Sequence, residues 1–238
     1  MVNHVGDKEL FQIEDISYRS NEKAILENIT FSISPFRITL ITGPSGSGKS
    51  TLLKILGMLI SPSAGRIYYN NRLLDDFVPG DYRSRAILVG QKPFVAEGTV
   101  KDNLMLPFRL KANKDKMFSD EIFIKNLKNL GLKNDFMEKN SAILSGGESQ
   151  RMALARAASL QPETLFLDEP SSALDIASEE KIIKYLASLK REISIIIVAH
   201  SPAYLDIADR IIILKQGRIA KKTDKLSPSE LKRHLEEE

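Results

Sequence analysis

Residues 43–51, Gly43-Pro44-Ser45-Gly46-Ser47-Gly48-Lys49-Ser50-Thr51, hold the three ingredients of a phosphate cradle. Glycines let backbone N–H groups converge on phosphate oxygens, a lysine supplies charge, and an adjacent hydroxyl can ligate Mg2+. In that pattern Lys49 reaches the β- and γ-phosphates and Ser50 coordinates the metal. A turn that only capped a helix would need neither group. About 120 residues further on, Thr164-Leu165-Phe166-Leu167-Asp168-Glu169 is an apolar run ending in two adjacent carboxylates. At such a strand end Asp168 would hold the metal through water while Glu169 orients and polarises an attacking water. A strand followed by an acidic turn is also common in proteins with no activity. Between the two lies Leu144-Ser145-Gly146-Gly147-Glu148-Ser149-Gln150. Ser145, the amides of Gly146 and Gly147 and the start of the following helix make a second anion-binding surface. The same residues also read as a plain capping box, Ser145 with Glu148 three positions on, and the two readings are compatible.

These groups act together only if the chain places them on strand ends and helix starts. Residues 10–18 and 25–34 alternate or run apolar with β-branched residues, which predicts two antiparallel strands. Residues 38–42 predict a buried strand feeding the cradle, and 49–60 carry apolar residues at helical spacing until Ser61-Pro62-Ser63 stops them. Residues 65–69 and 85–89 read as further strands. From 92 to 160 strand-like runs vanish and amphipathic segments such as 99–106 and 120–130 dominate, which predicts a helical subdomain inserted into the sheet. The β pattern returns at 164–168 and 194–199 around a helical stretch at 176–191, the rhythm of a parallel sheet. A hairpin at 211–220 turning at Gln216-Gly217 and an exposed charged helix at 227–238 complete the reading.

The first glycine phrase alone implies only a nucleoside triphosphate, and its spelling also occurs in guanylate-kinase-like enzymes. The second resembles the signature sequence of ATP-binding cassette (ABC) ATPases. Each phrase should arise by accident in roughly one chain in a hundred of this length, so the pair in this order, with Asp168-Glu169 following, points to one superfamily. The resemblance runs from Tyr18 to about Ile219. It implies an α/β P-loop NTPase with a mainly parallel core sheet, an antiparallel β subdomain and an inserted helical subdomain. On that scheme 1–91 and 161–226 form the core with its β subdomain, 92–160 the helical subdomain, and 227–238 a tail. The implied ligands are ATP and Mg2+. Gln91, by itself ordinary polar surface, matches the glutamine assigned to Mg2+, the attacking water and the hinge to the helical subdomain. His200, otherwise a hydrogen bonder at a strand end, matches the switch histidine that contacts the γ-phosphate and holds Glu169. Tyr18, a half-buried strand tyrosine on its own terms, matches the aromatic that stacks on adenine. Pro170-Ser171-Ser172-Ala173-Leu174-Asp175 resembles the D-loop, with Asp175 near the dimer seam. Ser145, Gly146, Gly147 and Glu148 would close over ATP held by a second subunit. The chain departs from the family at Phe36-Arg37, where a glycine and an acid are frequent, at Thr164 and at Ser149; none of these handles phosphate.

The bulk numbers fit a protein of this kind. A chain of 238 residues can bury a sizeable core, and a formal charge of +3 is too small and too evenly spread for a nucleic-acid partner. No apolar stretch reaches the roughly 18 residues of a membrane span. The N-terminus lacks a secretory pattern, and the absence of cysteine fits a reducing compartment. The implied role is the cytoplasmic ATPase subunit of an ABC transporter, working as an ATP-dependent head-to-tail dimer. It would sit on the inner face of the cell membrane through an integral membrane permease, with 92–103 facing that partner. A DNA-maintenance ABC ATPase would need a long coiled coil between residues 50 and 144, where no sustained heptads occur. A nucleotide kinase would leave the signature, Asp168-Glu169 and His200 unexplained. For cargo, 41–45, 59–62 and 91–104 resemble the small stand-alone ATPases of the YbbL/FetA type, linked to iron export, with an importer or lipoprotein-type system as the alternative.

Overall fold

The computed structural model of the chain describes residues 9–172 and 174–236. Expectations that fall on residues 1–8, on Ala173 and on 237–238 lie outside them.

Alternating buried and open positions carry β1 (Phe11–Ser20) and β2 (Lys23–Ile33), which pair antiparallel. With β4 (Ala64–Tyr69) and β5 (Arg72–Leu73) they form a four-stranded sheet in the order β2-β1-β4-β5. The second sheet has six strands. Its centre is β3 (Ile38–Thr42), β7 (Thr164–Asp168) and β8 (Ser194–Val198), apolar runs buried on both faces as helix-covered parallel strands require. With β6 (Ala86–Val89), β9 (Arg210–Lys215) and β10 (Arg218–Thr223) the order is β10-β9-β3-β8-β7-β6, and only the β9–β10 hairpin pairs antiparallel. The α/β class with parallel and antiparallel sheets is therefore as the sequence implied.

Period-two alternation splits the core. Along β8, Ile195 and Ile197 enter the cluster shared with the large helices, while Ile196 and Val198 enter the cluster beneath the antiparallel sheet. Helix α1 (Lys49–Leu56) packs into the second cluster. It ends at Leu56 rather than at residue 60: Met58 takes φ 51, its N–H turns back to the Ile55 carbonyl at 3.0 Å and the Leu59 N–H to the Lys54 carbonyl at 2.9 Å, so the chain leaves the helix before reaching Pro62. A short α2 (Pro79–Arg83), begun by its proline, was not apparent from periodicity because it spans barely one turn. Between β6 and β7 come α3 (Val100–Met105), α4 (Asp120–Asn129) and α5 (Gly146–Ser159), joined by 3-10 turns. Helix α6 (Ile176–Leu189) connects β7 to β8, and α7 (Pro228–Glu236) follows β10. The unusual Phe36-Arg37 turn is built with Phe36 at φ 55, its N–H held by the Ser194 hydroxyl at 2.9 Å.

Candidate functional site

Because β3, β8 and β7 run parallel and adjacent, their C-terminal ends share one edge of the sheet. That edge gathers 43–51, Asp168-Glu169 and His200. Gly43 enters the cradle at φ 142, where a Cβ would lie 1.9 Å from the Leu214 carbonyl oxygen; no other residue fits. Gly48 is the N-cap of α1 at φ 98 and offers no side-chain cap, so the first-turn amides of Lys49, Ser50 and Thr51 stay available to a ligand. Pro44, Ser45 and Gly46 form the arch between them, closed by the Ser47 N–H to the Pro44 carbonyl at 3.3 Å. The Ser47 hydroxyl is buried with no partner. Lys49 is 6% exposed, and its ammonium donates to the carbonyls of Gly43 at 2.9 Å and Pro44 at 2.8 Å. Burial pulls its pKa down, opposed by the charges of Glu169 and Asp168. A buried cation held only by carbonyl dipoles is poised for an anion.

The Ser50 hydroxyl donates to Asp168 at 2.8 Å. Glu169 takes φ 52 at the turn after β7, its N–H bound to the Val198 carbonyl at 2.8 Å, and its carboxylate lies 3.2 Å from His200 Nε2. Burial raises the Glu169 pKa; Lys49 opposes that rise and Asp168 reinforces it. Burial, reinforced by Lys49, lowers that of His200, which favours the neutral imidazole beside Glu169 at neutral pH. Among the described residues no group of three or more His, Cys, Asp or Glu side chains could hold a metal ion. Ser50 and Asp168 instead offer hard oxygen donors beside a phosphate cradle, the donor set Mg2+ takes when phosphates complete its shell.

Gln91, exposed after β6, donates to the Ser172 hydroxyl at 3.4 Å, and Ser172 in turn donates to the Glu169 carbonyl at 3.2 Å. A cleft lined by Gln91, Gly146, Gln150, Glu169 and Leu174 brings the start of α5 beside the turn after β7. Ser145 caps α5 through the complete box: its hydroxyl accepts from the Glu148 N–H at 3.2 Å, and Glu148 accepts from the Ser145 N–H at 2.8 Å. Asp175 caps α6, accepting from the Ser178 N–H at 2.8 Å and hydroxyl at 3.0 Å, which hold its pKa below the usual range. Tyr18 is half-buried and pairs across to Leu26, whose side chain packs on Gly48. Sequence reasoning missed Ser171, which joins the Tyr204 hydroxyl to Glu179, and Lys139, which donates to Glu148 at 2.7 Å. Ser171 lies inside the D-loop phrase, but that phrase does not show its partners; Lys139 stands nine residues before its partner with no periodicity to mark it.

The sequence profile of the ABC transporter family matches residues 26–172. The chain belongs to the ABC transporter family. Among its relatives, the probable iron export ATP-binding protein FetA of Escherichia coli (strain K12) is 36% identical over 208 residues, covering 87% of this chain and 91% of that protein. The phosphate import ATP-binding protein PstB of Saccharolobus solfataricus is 35% identical over 223 residues, covering 89% and 87%. A dimeric post-hydrolysis structure of the ATP-binding cassette MJ0796 bound to ADP and Pi matches with a TM-score of 0.80 at 29% identity, over 91% of this chain and 99% of that one. This ABC protein is thus an ATP-binding, ATP-hydrolysing transport subunit. No helix among its described residues is long and apolar enough to cross a membrane.

Proposed function

We propose that this ABC ATPase drives a separate integral membrane permease by closing head to tail on a second copy of itself around two ATP molecules. It would act at the inner, cytoplasmic face of the cell membrane, without nucleic acid. Lys49 and the amides of 43–51 hold the β- and γ-phosphates, and Tyr18 stacks on adenine. A bound Mg2+ would neutralise phosphate charge, and Ser50, Asp168 and Gln91 are the residues that would hold it. Glu169 orients the attacking water, and His200 fixes Glu169 through the 3.2 Å contact. Ser145, Gly146, Gly147 and Glu148, with Asp175 at the seam, belong to the lid over the partner's nucleotide. The division into a core (1–91 and 161–226), a helical subdomain (92–160) and a tail (227–238) supplies the hinge near Gln91.

One observation carries the two-copy reading. A Cβ at Gly146 would meet nothing within 4 Å in this chain, so the fold itself does not require glycine there. A surface that must receive a second molecule's phosphates does. Sedimentation of a Glu169→Gln chain with saturating Mg·ATP should show dimers that revert to single copies when nucleotide is removed; single copies throughout would defeat the reading.

For cargo, the FetA relative supports iron export, and PstB at one percentage point lower identity supports import as a second reading. Cells lacking this chain should accumulate iron if it serves export, and should lose phosphate uptake if it serves import.

A further inference from the structure

An anion-binding helix start should not carry a free carboxylate, yet α5 has Glu148 in its first turn. The capping box turns one carboxylate oxygen to the Ser145 N–H; the other receives the Lys139 ammonium at 2.7 Å. Lys139 is held in place from two directions. Its carbonyl accepts from the Val100 N–H at 2.9 Å, and its ammonium lies 5.4 Å from the centre of the Phe136 ring. Arg151, one turn further along α5, is committed to the Ser178 hydroxyl at 2.7 Å and does not pair with Glu148.

We propose that Lys139 is a positioning residue for the ATPase reaction: by clamping and neutralising Glu148 it keeps Ser145 and the Gly146 and Gly147 amides a net attractive face for the second copy's triphosphate. The role rests on the two-copy reading above. The Lys139 contact is also the largest of the influences that hold the Glu148 pKa below the usual carboxylate range. Without Lys139 the carboxylate keeps its negative charge where the incoming phosphate carries the same sign, and the cap loses one of its two anchors.

The chain contains its own control. Helix α7 repeats the construction, with Ser227 and Glu230 forming the box and Lys221 lying 3.5 Å from Glu230, on an element that contributes nothing to the site.

The test uses the full chain carrying Glu169→Gln, with ATP-driven dimerisation followed by sedimentation across a Mg·ATP titration. Lys139→Met should raise the ATP concentration at half-dimerisation by roughly three- to tenfold, and Lys139→Arg should restore most of the loss. Combining Lys139→Met with Glu148→Gln should return the value to that of Glu148→Gln alone, because a neutral carboxamide still accepts from the Ser145 N–H and no longer repels phosphate. Lys221→Met should leave the titration unchanged. An equal loss from Lys139→Met with and without Glu148→Gln, or no loss at all, would overturn the positioning role while leaving the two-copy reading intact. Absence of ATP-driven dimers in the parent chain would overturn both.

Discussion

Two helices of this protein begin at its two glycine phrases, and they are built in opposite ways. Helix α1 starts from Gly48 with no side-chain cap and no acid in its first turn, beside a buried lysine that only carbonyls hold. Helix α5 starts from Ser145 with a closed capping box and an acid in its first turn. In α1 every early amide is free and the charge is supplied by Lys49, so the site can hold a highly charged ligand by itself. In α5 the box already uses the N–H groups of Ser145 and Glu148, which leaves the Gly146 and Gly147 amides and the serine hydroxyl. On the proposed function the first is a cradle that binds alone, and the second a lid that works only against something already bound.

The contrast can be tested through turnover first. Glu169→Gln should lower ATP hydrolysis by roughly 10²–10⁴-fold, because a positioned base is lost, while ATP binding by equilibrium titration survives. Retained turnover would remove Glu169 from the site beside α1. Lys49→Ala acts on binding instead. Losing charge-assisted hydrogen bonds worth roughly 1.5–3 kcal/mol should weaken ATP affinity by about ten- to a hundredfold. Ser145→Ala should leave single-copy affinity near the parent value; a loss as large as that of Lys49→Ala would erase the distinction between cradle and lid.

The glycines give a smaller effect that separates fold from function. Gly43→Ala forces a Cβ against the Leu214 carbonyl at φ 142 and should cost roughly 2–4 kcal/mol in denaturant unfolding. Gly146→Ala meets open space at a helical position, so stability should hold within about 0.5 kcal/mol while ATP-driven pairing falls. Smallest is the α7 box. The Ser227 N–H and hydroxyl, with Lys221 adding to them, hold Glu230 down at about 2 from an ordinary 4.5. A depressed carboxylate stabilises fully above its unfolded value, and that contribution is lost as the pH falls from 4.5 towards 2. Amide protection factors in α7, referred to the intrinsic exchange rate at each pH, should therefore fall across that window, and Glu230→Gln should flatten the change.

The chemistry was legible before any fold was known because its requirements are local. A cradle needs glycines, a lysine and a hydroxyl in consecutive positions, and a capping box needs its acid three residues from its serine, so 43–51 and 144–150 announce themselves. Strands buried on both faces are equally plain, since 165–167 and 195–198 have no polar residue to dilute the signal. The apolar pattern runs on past the end of α1 through Leu59 and Ile60, and nothing in composition shows that Met58 turns left-handed. Sequence by itself determined which groups could meet phosphate and which stretches must be buried. Only the tertiary structure decided that Ser50 reaches Asp168 across 118 positions, that His200 rests on Glu169, and that Lys139 clamps Glu148. The first two contacts follow from parallel strands β3, β8 and β7 ending at one edge, and the third from a turn packed on a helix start. Such meetings are set by pairing and packing between distant segments, which residue spacing along the chain does not encode.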